Sequence, residues 1–151
     1  MAKLRWAAIV FALISFLGLV DTAYLTLSHY RNFIPPCTLV NGCEKVLTSE
    51  YSTLAGVPIS LLGLVNYLFL FLLALVFLDV QKAGTIKFAA KFSTFGFLAS
   101  LAFVYLQIFV IRASCFYCLV SAAVSTLLFV AGLFILWQNS GLSTPYFDKQ
   151  S

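Results

Sequence analysis

The chain has 151 residues, of which 62% are hydrophobic and 9% charged, with a mean hydropathy of +1.03. A soluble domain carries about 25% charged residues, so this chain cannot clothe a water-facing surface, and its length serves one domain rather than two. The net charge of +4 does not point to nucleic acid, because the basic residues form no cluster or stripe and stand at the ends of apolar runs.

A helix needs about 20 apolar residues to cross a bilayer. Four stretches meet that length, over about 4–28, 57–78, 92–111 and 115–137. The first follows Lys3 and Arg5. Its long apolar run, with no A-x-A pattern after it, predicts a retained helix rather than a cleaved signal peptide. The one long loop follows, about 29–56. Pro35 and Pro36 hold its approach extended, and Asn41-Gly42 signals a turn. The segment Cys43 to Tyr51 reads as a short half-helix capped by Asn41, too short to span and therefore lying at the bilayer surface. Lys82, Gly84 and Lys87 mark the connection between the second and third spans. Only Arg112, Ala113 and Ser114 join the third to the fourth, so those two helices are antiparallel neighbours. Gln138, Asn139, Ser140 and Gly141 end the fourth. The chain shows no internal repeat or second domain. The expected fold is an all-α integral membrane protein: one transmembrane domain, 1–151, a four-helix bundle with a surface half-helix in its first extracytoplasmic loop.

Orientation follows from Lys and Arg. With the N-terminus inside, Lys3, Arg5, Lys82, Lys87, Lys91 and Lys149 are cytoplasmic, against Arg31, Lys45 and Arg112 outside. Both termini are thus expected in the cytoplasm. Tyr24, Tyr30, Tyr51, Tyr105 and Trp137 fall near span ends, as interfacial aromatics do.

All four cysteines then map to the extracytoplasmic side, where disulfides persist. Cys37 and Cys43 lie in the long loop, with a turn between them able to close a small ring. Cys115-Phe116-Tyr117-Cys118 is a C-x-x-C at a helix start. Its cysteines, three apart, lie on one helical face within disulfide reach. The free N–H groups there favour thiolate, the reactive form, and Ser114 is the expected N-cap. Two other readings compete. The cysteines could be inert staples, although C-x-x-C favours redox work. They could hold zinc, although the first pair has the wrong spacing for a zinc knuckle.

Among polar residues inside spans, Asp21, Asn66 and Gln107 are the candidates for contacting a ligand, with helix–helix hydrogen bonding the alternative for the two amides. Gly63, Gly96 and Ser100 are small residues expected to let helices approach closely. His29 stands alone near a span end.

These residues resemble the vitamin K epoxide reductase (VKOR) family in its stand-alone prokaryotic form. The resemblance rests on Cys37, five residues, Cys43, five residues, Ser49; on Gly56-Val57-Pro58-Ile59-Ser60 with Gly63; on Cys115-Phe116-Tyr117-Cys118; and on Asp21-Thr22-Ala23-Tyr24-Leu25. It covers about residues 17–122. It implies a membrane quinone reductase that supports disulfide bond formation. A separate thioredoxin-fold, DsbA-like partner delivers two electrons to the loop pair at Cys37. Cys43 passes them to Cys115, and Cys118 delivers them as a thiolate to menaquinone or ubiquinone. Ser49 matches a family hydroxyl, expected to hydrogen-bond a thiolate rather than to cap a turn. The implied location is the plasma membrane of a prokaryote. Ala122 stands where animal members carry a tyrosine, and Phe116-Tyr117 differ from their Ile-Val. Both differences favour plain quinone reduction over epoxide reduction. Many prokaryotic members carry a fused thioredoxin-like domain; here the sequence stops soon after the fourth span, so a separate partner is expected. The DsbB family also pairs four helices with a quinone, but its C-x-x-C precedes its spaced pair, the reverse of the order here. A non-enzymatic membrane protein with stapled loops, or a small transporter, are the rivals of other classes.

Overall fold

The structure is a computed structural model that describes residues 2–37 and 42–140. Asn41, expected as a helix cap, and Gly141 and Lys149 lie outside the described residues. Five helices form the body: α1 (Ala2–Tyr30), α2 (Cys43–Leu47), α3 (Ile59–Val80), α4 (Ala83–Tyr105) and α5 (Phe116–Ser140). A π-helical segment, Leu106–Ile111, continues α4 without a break. Among the described residues, four helices are long and apolar enough to span a membrane: α1, α3, α4 with its π extension, and α5. The all-α integral membrane fold expected from composition is the fold observed.

The four spans make a ring in which α1 packs on α3 and α5, and α4 packs on the same two. Successive spans alternate in direction, so the long loop and the α4–α5 link lie at one end of the bundle. The opposite half is densely packed. Leu4, Ala8 and Phe11 of α1, Leu70, Ala74 and Phe77 of α3, Ile86, Ala89 and Ala90 of α4, and Leu128 and Ile135 of α5 form one buried cluster. Small residues on facing helices bring the backbones together, as lipid-embedded packing requires. Many of the other apolar side chains point outward, as they must where the solvent is hydrocarbon. The hydroxyls of Ser15, Thr22, Thr26 and Ser28 donate to carbonyls one turn back on α1, at 2.7–2.8 Å, and so carry no unsatisfied polarity into the bundle.

Several expected boundaries move. The third span starts at Ala83, nine residues before the expected Phe92, so Gly84 and Lys87 are helical. Hydropathy reads lipid contact rather than backbone shape, and lysines at the first turns of a span reach out to the headgroups. The α3–α4 connection shrinks to Gln81 and Lys82, with Gln81 in the left-handed region at φ 56°. The half-helix expected over Cys43–Tyr51 stops at Leu47 and resumes as a 3-10 turn, Glu50–Ser52. A two-residue antiparallel hairpin then pairs β1 (Thr53–Leu54) with β2 (Val57–Pro58). Its tip, Ala55-Gly56, has both φ values positive, at 52° and 84°. Val57 therefore belongs to the loop, and the second span begins at Ile59.

Candidate functional site

The four cysteines gather at the loop end of the bundle. Cys37 and Cys43 form a disulfide, with their Cα atoms 6.2 Å apart. Cys115 and Cys118 are free thiols. Cys43 and Cys115 are almost wholly buried, at 2% and 0% exposure, and share one apolar cluster with Val46 and Ile111; Cys37 and Cys118 pack at its edge.

Two local devices bring this about. On the loop side, α2 turns Cys43 and Val46 inward on one face. Gly42, just before it, lies directly against the backbone of Ser114. On the bundle side, the π segment ends with Arg112 left-handed at φ 52°. Gln107 ties the link from both its ends: its carbonyl accepts the Ala113 N–H at 3.1 Å, and its side-chain Oε1 accepts the Cys115 N–H at 3.3 Å. Helix α5 begins at Phe116, and the Leu119 N–H donates to the Cys115 carbonyl at 3.0 Å. The residue at the N-cap is therefore Cys115, one place beyond the expected Ser114, and Gln107 accepts the N–H of that capping residue.

That position changes the expected thiol chemistry. The Cys115 thiol is lowered from 9.0 to about 7, chiefly by a hydrogen bond from the Cys118 thiol, with the Cys118 and Tyr117 backbone N–H groups adding to it. Burial and the Asp21 carboxylate act the other way. The thiolate stabilised at the helix start is thus Cys115, whereas the sequence reading placed that effect on Cys118. A residue at the N-cap sits beneath more free N–H groups than one three places into the helix.

A cavity of about 1070 Å³ opens beside the C-x-x-C, within the loop half of the bundle. Cys118 lines it, and Cys115 does not. Its walls come from Thr22 and Leu25 of α1, Leu62, Gly63, Asn66 and Tyr67 of α3, Phe92, Phe95, Gly96 and Phe103 of α4, and Ser121 and Ser125 of α5. His29 at the end of α1, Asn32 to Ile34 beyond it, and the stretch from Val46 of α2 to Leu54, apart from Tyr51, border it as well. The chamber is mostly apolar with a few inward polar groups, the usual character of a small-molecule site.

The polar candidates separate. Asn66 lines the cavity, and its Oδ1 is buried without a hydrogen-bond partner. Asp21 and Gln107 do not line it. Asp21 has a buried, unpaired Oδ2 near the cysteine cluster, and Gln107 retains an unpaired Nε2 behind Cys115. Ser49 borders the cavity, but its hydroxyl donates to the Val46 carbonyl at 2.7 Å. The hydroxyl therefore closes the end of α2 and leaves no donor for a sulfur, contrary to expectation; a serine just past a short helix finds an open carbonyl within reach. Gly63 and Gly96 face Thr22 and Asn66 across helix contacts. Among the described residues, no three His, Cys, Asp or Glu side chains gather as metal ligands.

The sequence reading missed Tyr67, Ser121 and Ser125. The Tyr67 hydroxyl donates to the Ser121 carbonyl at 2.8 Å and meets the Ser121 and Ser125 hydroxyls at 3.0 and 2.8 Å. The two serines, one helical turn apart on α5, were the available signal. It read Gly42 as half of a turn signal and missed its contact with Ser114, more than 70 residues away.

The sequence is 34% identical over 119 residues to the thiol-disulfide oxidoreductase LTO1 of Arabidopsis thaliana, covering 74% of this chain and 32% of that protein. The chain thus spans about a third of that relative's length. The match to the vitamin K epoxide reductase family runs over residues 9–133 and so includes all four cysteines and every wall of the cavity; by that match the chain belongs to the vitamin K epoxide reductase family.

Proposed function

We propose that this protein is a membrane thiol–disulfide oxidoreductase that carries two electrons from a thioredoxin-fold, DsbA-like partner through two cysteine pairs to a quinone, and so supports disulfide bond formation. The observation that carries the reading is the shared burial of Cys43 with Cys115, together with the opening of Cys118 into the large cavity. Loop pair, C-x-x-C and chamber stand in the order an electron relay needs.

The steps balance as thiol exchange. A partner thiolate attacks Cys37 of the loop disulfide and frees Cys43. The Cys43 thiolate attacks Cys115 of the oxidised C-x-x-C, forming a Cys43–Cys115 disulfide and releasing Cys118. Once the partner has left Cys37 with its own disulfide closed, the Cys37 thiolate attacks Cys43 and expels Cys115. The lowered Cys115 thiol favours that departure, because a low-pKa thiolate is the better leaving group. Closing the Cys115–Cys118 disulfide then yields two electrons and two protons, which convert quinone to quinol.

The cavity suits a flat quinone ring with an apolar tail, and the unpaired Asn66 Oδ1 suits a hydroxyl of the quinol product. The site lies on the extracytoplasmic face of a prokaryotic plasma membrane in this reading, with both termini cytoplasmic. The distribution of Lys and Arg supports that orientation.

The test is quinone absorbance with purified protein and a reduced thioredoxin-fold protein or a small dithiol. Wild type is expected to make quinol with either. Cys118→Ala is expected to make none, and Cys37→Ala to lose turnover mainly with the protein reductant. No quinol from wild type, with disulfides inert to both reductants, would return the cysteines to a structural role.

A further inference from the structure

Gly42 and Ser114 are the residues immediately before Cys43 and Cys115, and their backbones touch. A β-carbon built on Gly42 would lie 2.7 Å from the Ser114 carbonyl oxygen, 3.0 Å from its nitrogen and 3.2 Å from the Ala113 β-carbon. Two of these three atoms are main chain, so no rotamer change can make room. They belong to a link that Gln107 holds at Ala113 and Cys115. The φ of Gly42 is −172°, not the left-handed value at which glycine is required. The contact itself needs the missing side chain.

We propose that Gly42 is a positioning residue for electron transfer between the two cysteine pairs: its bare backbone seats the loop against Ser114 and thereby sets Cys43 at attacking distance from Cys115. The inference rests on the relay proposed above and assigns to one contact the step in which Cys43 displaces Cys118 from Cys115. Thiol exchange needs the attacking sulfur in line with the bond it breaks, and a displacement of about 1 Å can cost 100-fold in rate. Only the transfer between pairs depends on the seat. Electrons already on Cys115 and Cys118 reach the cavity without it.

A single-turnover experiment separates the two. Fully reduced protein holds two electrons on each pair. With reductant removed and quinone added, wild type is expected to make quinol in two phases: the C-x-x-C discharges first, then the loop pair discharges through it. In Gly42→Ala the first phase keeps its rate and amplitude, and the second slows by roughly ten- to a hundred-fold. A second measurement traps the intermediate. In a Cys37→Ser, Cys118→Ser background, Cys43 and Cys115 are expected to form a disulfide under mild oxidant, with markedly lower yield once Gly42→Ala is added. A second phase at the wild-type rate, an undiminished trapped yield, or loss of both phases together each overturns the proposal. The last would mean that the glycine serves the fold at large. Absence of the first phase in wild type would instead refute quinone reduction itself, and the trapping yield would still report on the seat.

Discussion

Gly18 of α1 lies so close beneath the ring of Tyr67 on α3 that a β-carbon there would stand 2.7 Å from two ring carbons. The ring is held from the other side through its hydroxyl, which bonds to Ser121 and Ser125 of α5. One tyrosine thus joins three helices where the packed half of the bundle meets the cavity.

Gly18→Ala is therefore expected to destabilise the protein by about 1–3 kcal/mol, the usual cost of overpacking, and to push the ring toward the cavity. Thermal unfolding in detergent should fall, and the KM for quinone should rise with it. Tyr67→Phe keeps the ring and removes only the hydroxyl, at a cost of about 1 kcal/mol. A Gly18→Ala protein that melts like wild type would show that the ring moves freely.

Asn66→Leu should part stability from function. It removes a buried oxygen that has no partner within the protein, so unfolding is expected to be unchanged or slightly harder. If that oxygen bonds the ligand, the quinone KM rises roughly tenfold for one lost hydrogen bond, with little change in kcat. Steady-state kinetics over a quinone series checks this, and an unaltered KM removes Asn66 from the binding site.

The thiolate at Cys115 should follow pH in a way its neighbour controls. Its pKa stands at about 7 in place of 9.0, so between those values the folded protein holds a thiolate where the unfolded chain holds a thiol. With Cys115 free, the fold carries this stabilisation in full above pH 9.0 and loses it as pH falls through about 7. Because the Cys118 hydrogen bond is the largest cause, Cys118→Ala should move the titration up toward the ordinary value. Ultraviolet thiolate absorbance against pH, compared between wild type and Cys118→Ala with the loop disulfide closed, reads the shift.

Gln107→Leu should loosen the start of α5. The Cys115 N–H loses its acceptor inside a buried site, at a cost of about 1–3 kcal/mol. Removal of the unpaired Nε2 offsets part of that. Faster hydrogen exchange at the amides around Cys115, with the rest of α5 unchanged, is the expected signature.

The helices were legible because lipid demands long apolar runs, and the four spans follow from that demand with little help from anything else. The cysteines were legible because their spacing is chemical. Where the sequence reading went astray, shape was decided by contacts that leave no local mark. Gly84 and Lys87 look like loop residues until the short α3–α4 turn makes them helix. Ser49 looks like a thiolate partner until the end of α2 offers the Val46 carbonyl. Ser114 looks like a cap until the helix proves to start one residue later, with the Cys115 carbonyl accepting the Leu119 N–H. Tyr67 carries no sign in the sequence of the two serines that hold it, since they lie more than 50 residues on.

The π segment at Leu106–Ile111 concentrates the end of the third span on one residue. A π turn is one residue wider than an α turn, and its closing hydrogen bonds converge on Gln107, whose carbonyl accepts from Arg112 and Ala113 while its amide oxygen accepts from Cys115. A shift along that wide turn would therefore pass straight to the Cys115 backbone, with no hinge between them.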